Sequence, residues 1–352
     1  MCTQNNKSKV TKSECKKQAH YLDTLEIRSE FFRSKSHANL YAQSLSKHLT
    51  LHKIYALIDV CDPERKKQYW KSYHCSNVVI QEGTKLSTGL CRKRWCNVCQ
   101  RKKTAELLNG YASALKELNE EAPLFMVTLT AKNIKATSPK ALRDEIRLYN
   151  KEFTRIKDNI RKTHSMTLNG FKKVECTYNQ NTNEYHPHLH LIVQGQAEAE
   201  LIKAYWIIQM KKRYGRNKVG HKGQEVKPIG NTEKDYIEVF KYATKGSVKD
   251  TFEASAEDLM LEALEGLQIF KPIGKLKKVK APKEEAHEQT KADFMEARNE
   301  IYVYCDFERD YISASNERLI GTQAINELTQ IKVEINAKHQ ANEEQRKFKG
   351  LY

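Results

Sequence analysis

Apolar side chains recur along this chain with two different periods, and the switches between them mark its elements. From Ser138 onward, Leu142, Ile146, Tyr149, Phe153, Ile156 and Ile160 follow at spacings of three and four, the stripe of a helix that packs one face on a sheet. Ser138 suits the N-cap and Pro139 the first turn. A second stripe, Leu107, Leu108, Tyr111, Leu115 and Leu118, predicts a helix over about 102–120, ended by Pro123. Between the two, residues 124–131 alternate as a strand does: Phe125, Val127 and Leu129 point one way, Thr128 and Thr130 the other. Residues 170–178 and 187–194 read as two strands joined by a polar turn, and 198–213 as a helix that stops at Gly215. A short strand over 222–229 and a helix over 233–245 complete the middle of the chain. Strands and helices arranged around one sheet predict an α+β fold.

The ends follow a different pattern. Residues 1–70 hold short amphipathic stretches such as Tyr41 to Leu57 and carry no nameable chemistry. Lys271 to Lys283 reads as a basic, proline-containing linker. Ile325, Leu328, Ile331 and Ile335 then recur at helical spacing, as a small helical domain or an oligomerisation helix would; the latter admits a homo-oligomer. The expected divisions are 1–70, a cysteine-rich segment over 71–105, a main domain over 106–250, and a basic linker with a helical region over 251–352.

Charge narrows the partners. Lys and Arg number 61 against 44 Asp and Glu, a formal +17, which favours a polyanion, nucleic acid first and an anionic membrane surface second. No apolar run approaches the ~20 residues that span a bilayer, and the first residues lack the apolar core of a secretory signal, so a cytoplasmic protein with no membrane partner is expected. Tyr205, Trp206 and the run Lys211, Lys212, Arg213 are candidate DNA contacts, with Trp206 equally readable as core.

Nine cysteines in a long chain argue against a disulfide scaffold. Cys91, Cys96 and Cys99, with Cys75 upstream, have the ligand type and loop spacing of a structural Zn²⁺ site, with His74 as an alternative ligand. Arg92, Lys93, Arg94, Arg101, Lys102 and Lys103 surround the cluster; they would offset its negative charge and leave a basic knuckle for phosphates.

Two further constellations carry chemistry. His188 and His190 stand two apart on a strand and so share a face, while Leu189, Leu191 and Val193 enter the core. Two imidazoles on one face can bind one divalent metal, and Glu175 on the preceding strand is the candidate third ligand. In the helix over 233–245, Glu238 and Tyr242 are i,i+4 neighbours, with Lys241 and Lys245 close by. Ionising an ordinary phenol at pH 7 costs ~4 kcal/mol, which neighbouring cations reduce.

The order of these motifs resembles that of the rolling-circle plasmid replication initiators, Rep proteins of the HUH endonuclease superfamily with a single catalytic tyrosine. The strand Phe125–Thr130 is similar to their first motif. His186-Pro187-His188-Leu189-His190 is similar to the metal-binding second, and Glu238-x-x-Lys241-Tyr242 to the third. A cysteine pattern ahead of the first motif also occurs in one branch of that family. The resemblance covers about residues 70–250 and implies an HUH nicking–joining core, a central antiparallel sheet flanked by helices, over 106–250. It implies a metal-dependent, site-specific endonuclease that acts on double- and single-stranded plasmid origin DNA. Mg²⁺ or Mn²⁺ would sit on His188, His190 and Glu175, Tyr242 would be the nucleophile, and Glu238 a general base for the water that ends replication. A host helicase and DNA polymerase are the implied partners.

Three alternatives use the same residues differently. A transposase or relaxase shares the metal chemistry, although the Glu-x-x-Lys-Tyr spacing and the upstream cysteines favour the plasmid initiator. A zinc-containing DNA-binding regulator without catalysis leaves the histidine strand unused, and a metal hydrolase using water directly has no need of Tyr242.

Overall fold

The computed structural model describes residues 35–82, 85–230, 240, 254–279 and 300–313, and for 35–38 the backbone alone. Helices α1 (Lys35–Ile58) and α2 (Pro63–Tyr73) lead into a hairpin, β1 (Val78–Glu82) and β2 (Lys85–Thr88). Then follow α3 (Asn97–Glu121), β3 (Leu124–Thr130), α4 (Pro139–His164), β4 (Gly170–Asn179), β5 (Glu184–Gln194), α5 (Gln196–Tyr214) and β6 (Glu225–Pro228). Helix α6 (Ala254–Leu264) and strands β7 (Phe270–Ile273), β8 (Glu300–Cys305) and β9 (Asp310–Ser313) complete the described elements. The expected α+β class holds, with antiparallel pairing throughout both sheets.

The larger sheet runs β6-β3-β5-β4-β7. Its first face is the principal core. Val127, Leu129, Val174, Leu189, Leu191 and Val193 meet the α4 stripe, all six of whose apolar residues are buried. Helices α5 and α6 close the same core through Ile202, Trp206, Met210, Met260 and Leu264. Ser138 caps α4 through its hydroxyl, which accepts from the Ala141 amide at 3.3 Å.

The second face is divided along its strands. At one end Leu124, Phe171 and Ile192 pack on Tyr111, Leu115 and Leu118 of α3, on Leu276 and on Phe240. At the other end the same alternation places Thr128, His190, Lys173, Glu175 and His188, since Thr128 pairs with His190, and Glu175 with His188. The apolar half anchors α3, and the polar half becomes the site.

Gly170 starts β4 at φ 147°, where a Cβ would meet the Ile192 carbonyl oxygen at 1.8 Å, so this position requires glycine.

The smaller sheet, β2-β1-β8-β9, joins residues far apart in sequence: Val79 pairs with Tyr302, and Tyr311 packs with Leu40 of α1. The Tyr311 hydroxyl donates to the Ser76 carbonyl at 2.6 Å.

Several local expectations change. Helix α3 begins at Asn97, not Lys102, because Cys96 is its N-cap and the helix grows directly out of the cysteine loop. Strand β5 starts at Glu184, so His186 is also on the strand. Trp206 is fully buried and its indole N–H donates to the Thr130 carbonyl at 2.7 Å, which makes it a core residue and not a DNA contact. Tyr205 meets His164 Nε2 at 3.1 Å through its hydroxyl. Lys211, Lys212 and Arg213 form the last turn of α5, where cations complement the helix dipole. Where a linker is expected from Lys271, the chain instead forms the edge strand β7: Lys271 pairs with Lys172, and Ile273 is buried. Among the described residues, no helix is long and apolar enough to cross a membrane. The helices expected over 233–245 and 325–335 lie outside the described residues, apart from Phe240, which is helical.

Candidate functional site

Strands β4 and β5 bring Glu175, His188 and His190 together with all three ligand atoms within 4.8 Å of one another. Glu175 Oε2 stands 3.3 Å from His190 Nε2 and 4.0 Å from His188 Nε2. The outer nitrogens of both rings are occupied. His188 Nδ1 lies 2.9 Å from the His186 carbonyl, which can only accept, so Nδ1 carries the proton and Nε2 presents a lone pair to the site. His190 Nδ1 shares a hydrogen bond with the Thr128 hydroxyl at 3.2 Å. Beyond it, Gln224 clamps the end of β3, accepting from the Thr130 amide at 2.7 Å and donating to the Thr130 carbonyl at 3.0 Å.

Protonation states suit a cation. Burial pushes His188 down to about 4, which leaves it neutral at pH 7. Burial opposes ionisation of Glu175, but hydrogen bonding from His190 and the charge of Lys173 outweigh it and bring the carboxyl to about 2. One anionic oxygen and two imidazole nitrogens, the His188 tautomer fixed by its carbonyl partner, form a donor set that fits a divalent metal and leaves coordination positions for water and a substrate oxygen.

Lys173 is the site residue that periodicity alone misses. It is 1% exposed, and its Nζ lies 3.0 Å from the same Glu175 oxygen. Its position two residues before Glu175 was a signal in the sequence, but a lysine at a polar strand position reads by default as solvated.

The second cluster is the four cysteines. Cys75 Sγ lies 3.5 Å from Cys96 Sγ and 3.5 Å from Cys99 Sγ, and Cys91 Sγ 3.6 Å from Cys99 Sγ. These separations are too long for disulfides. A tetrahedral zinc with bonds of ~2.3 Å sets its sulfurs ~3.8 Å apart, so the cluster fits that ion. Arg92 adopts φ 55°, a left-handed conformation that turns its amide onto Cys99 Sγ at 3.2 Å, and the Cys91 amide donates to Cys75 Sγ at 3.4 Å. Hydrogen bonds from the neighbouring thiols, Cys75 first, hold the Cys91 thiol well below the usual range. His74 is not a member; Cys75 takes that corner. Lys47 is another unanticipated cation. It is 1% exposed, donates to the Cys75 carbonyl at 2.7 Å, and offsets thiolate charge from the interior.

Tyr242, Glu238 and Lys241 lie outside the described residues. Phe240, two residues before Tyr242, is 1% exposed on the sheet face that carries the Glu175 cluster. Its ring lies 5.4 Å from that of Phe171, and its carbonyl accepts from the Thr104 hydroxyl at 3.0 Å.

Comparison with known proteins places the chain by sequence. The "Protein rep" of Staphylococcus aureus is 28% identical over 122 residues, which is 34% of this chain and 51% of that protein. The chain therefore spans about half the length of that curated relative. No solved structure matches. The model of the replication protein family matches residues 84–317, about two thirds of the 352 residues and strands of both sheets, so the chain belongs to the replication protein family.

Proposed function

We propose that this protein starts and ends rolling-circle replication of a plasmid by nicking one strand at the double-stranded origin through Tyr242. The observation that carries the reading is the convergence of Glu175, His188 and His190 on a sheet face to which Phe240 is also anchored. Along β4, Phe171 and Glu175 are ~13 Å apart, and two residues of chain span at most ~7 Å; a tyrosine side chain and a bound phosphate cover the remaining ~6 Å.

Glu175, His188 and His190 would hold Mg²⁺ or Mn²⁺, which when bound would supply charge neutralisation at the scissile phosphate, an effect worth several kcal/mol. His188 holds its Nε2 lone pair inward, and Lys173 helps keep Glu175 ionised. The Tyr242 oxygen attacks phosphorus, the bond to the 3′ oxygen breaks, and the phenolic proton passes to solvent while the 3′ oxygen acquires one. The products are a 5′-phosphotyrosyl link and a 3′-hydroxyl for a host polymerase working behind a host helicase. With a single tyrosine, Glu238 activates the water that cuts the regenerated site and ends the cycle.

Tyr242→Phe is expected to retain origin binding and lose both nicking of supercoiled origin DNA and the DNA-linked tyrosine peptide seen by mass spectrometry. Undiminished nicking refutes the assignment. Glu238→Ala is expected to nick but to terminate poorly, and wild-type termination removes its role.

A further inference from the structure

A cleft of about 490 Å³ lies between the cysteine loop with the start of α3 and the segment that leads into β7. Arg92, Arg94, Lys102 and Lys103 line it, and none of its lining residues is acidic. Arg94 fixes the wall, donating to the Leu264 carbonyl and to the Leu267 carbonyl at 2.9 Å. A second cleft of about 270 Å³ continues on the other side of α3; Leu90 and Lys102 line both, Arg101 lines the second, and it too has no acidic lining residue. The two clefts meet at Leu90 and Lys102 and set cations on both sides of the first turns of α3.

The larger cleft borders the strand that adjoins the metal face. Phe270, in its wall, pairs with Lys173 across the β4–β7 edge, and Lys173 contacts Glu175 at 3.0 Å. Leu107 and Phe270 give it apolar surface, and Gln100 and Gln268 supply amides. Cations along a track, apolar side chains against which bases can lie, and neutral donors and acceptors are what a single nucleic-acid strand with unpaired bases requires.

We propose that the two clefts form one groove that holds the single-stranded DNA leading to the scissile phosphate, with Arg92, Lys102 and Lys103 on successive phosphates. The proposal rests on the nicking reading for what lies at the end of the track. It also gives the cysteine cluster a role beyond stability. Arg92 directly follows Cys91, and Lys102 and Lys103 stand one turn after Cys99, so a zinc held by the four cysteines would set the spacing of the cations.

The test is binding of a fluorescent single-stranded origin oligonucleotide to the full-length, zinc-loaded protein across a salt series. Each phosphate contact on a single strand contributes ~0.7 to the slope of log K against log salt. Arg92→Ala/Lys102→Ala/Lys103→Ala is expected to lower the slope by about 2 and to weaken binding on the order of 100-fold at low salt. The charge-matched control Lys151→Ala/Arg161→Ala/Lys162→Ala, on α4 across the sheet, is expected to keep the parental slope. An unchanged slope in the cleft variant, or equal losses in both, overturns the proposal. If the triple variant does not fold, Lys102→Glu at an exposed helical position carries the test, with a slope loss of about 1 expected and no loss refuting. Tyr242→Phe separates the two readings. Slope loss in the cleft variant with no tyrosine adduct in the parent leaves the groove standing and removes the nicking reading. An adduct in the parent with undiminished binding by the cleft variant removes the groove alone.

Discussion

Replacing Glu175 by leucine tests stability and metal binding in one residue. Glu175 and Lys173 are 4% and 1% exposed at their side chains and 3.0 Å apart. Removing one member of such a pair costs ~3–5 kcal/mol, because the remaining charge stays desolvated, whereas replacing both by apolar residues of similar volume is close to neutral. Glu175→Leu is therefore expected to lose ~3–5 kcal/mol in urea unfolding, and Lys173→Met/Glu175→Leu to return to within ~1 kcal/mol of the parent. Core tryptophan Trp206, fully buried, supplies the fluorescence signal. Metal linkage separates the two roles. Mn²⁺ at about 100 times its dissociation constant is expected to stabilise the parent by ~2.7 kcal/mol and neither variant. A Glu175→Leu protein as stable as the parent, a double variant no better than the single one, or Mn²⁺ stabilisation surviving in the double variant would refute the reasoning.

Other outcomes follow from the same geometry. Two imidazoles beside one carboxylate favour Mn²⁺ over Mg²⁺, so isothermal titration should show tighter Mn²⁺ binding, and equal affinities would argue against this donor set. Burial, with Lys271 alongside, pushes Lys172 down to about 8, so its ammonium costs stability below that pH and the cost fades as pH rises toward 10.5. Lys172→Met, less its lost hydrogen bond to Asn150, should add about 2 kcal/mol at pH 7 and little at pH 10; a gap independent of pH contradicts this. Cys96→Ser should lower bound zinc by one equivalent in elemental analysis and loosen the start of α3; equal zinc in variant and parent discards the knuckle.

What the sequence made legible were the features written as local periodicity. The α4 stripe is unbroken and every member is buried. Glu175 was found because Val174 and Cys176, both core, fix its phase on β4, and the pairing with His188 follows from a short polar turn. The missed features depend on burial that composition does not announce. Lys173 and Lys47 look solvated until a partner is seen beside each. The strand at Phe270–Ile273 looks like a linker because it is short, holds Pro272 and runs into a lysine-rich stretch, yet an edge strand needs few buried side chains. The smaller sheet was invisible for another reason: β1 and β8 have no sequence signal that joins them.

That last pairing sets an order of events during synthesis. Val79 leaves the ribosome roughly 220 residues before Tyr302, a delay of roughly 10–40 s at ordinary elongation rates. Strands β3 to β7 emerge entirely within the interval, so the histidine-bearing sheet can assemble while β1 still has an open edge. Tyr311, which ties down Ser76 beside Cys75, is translated later still. A nascent chain would thus assemble its Glu175–His188–His190 face before its cysteine cluster is locked, and premature termination ahead of Glu300 would release a molecule with that edge exposed for aggregation.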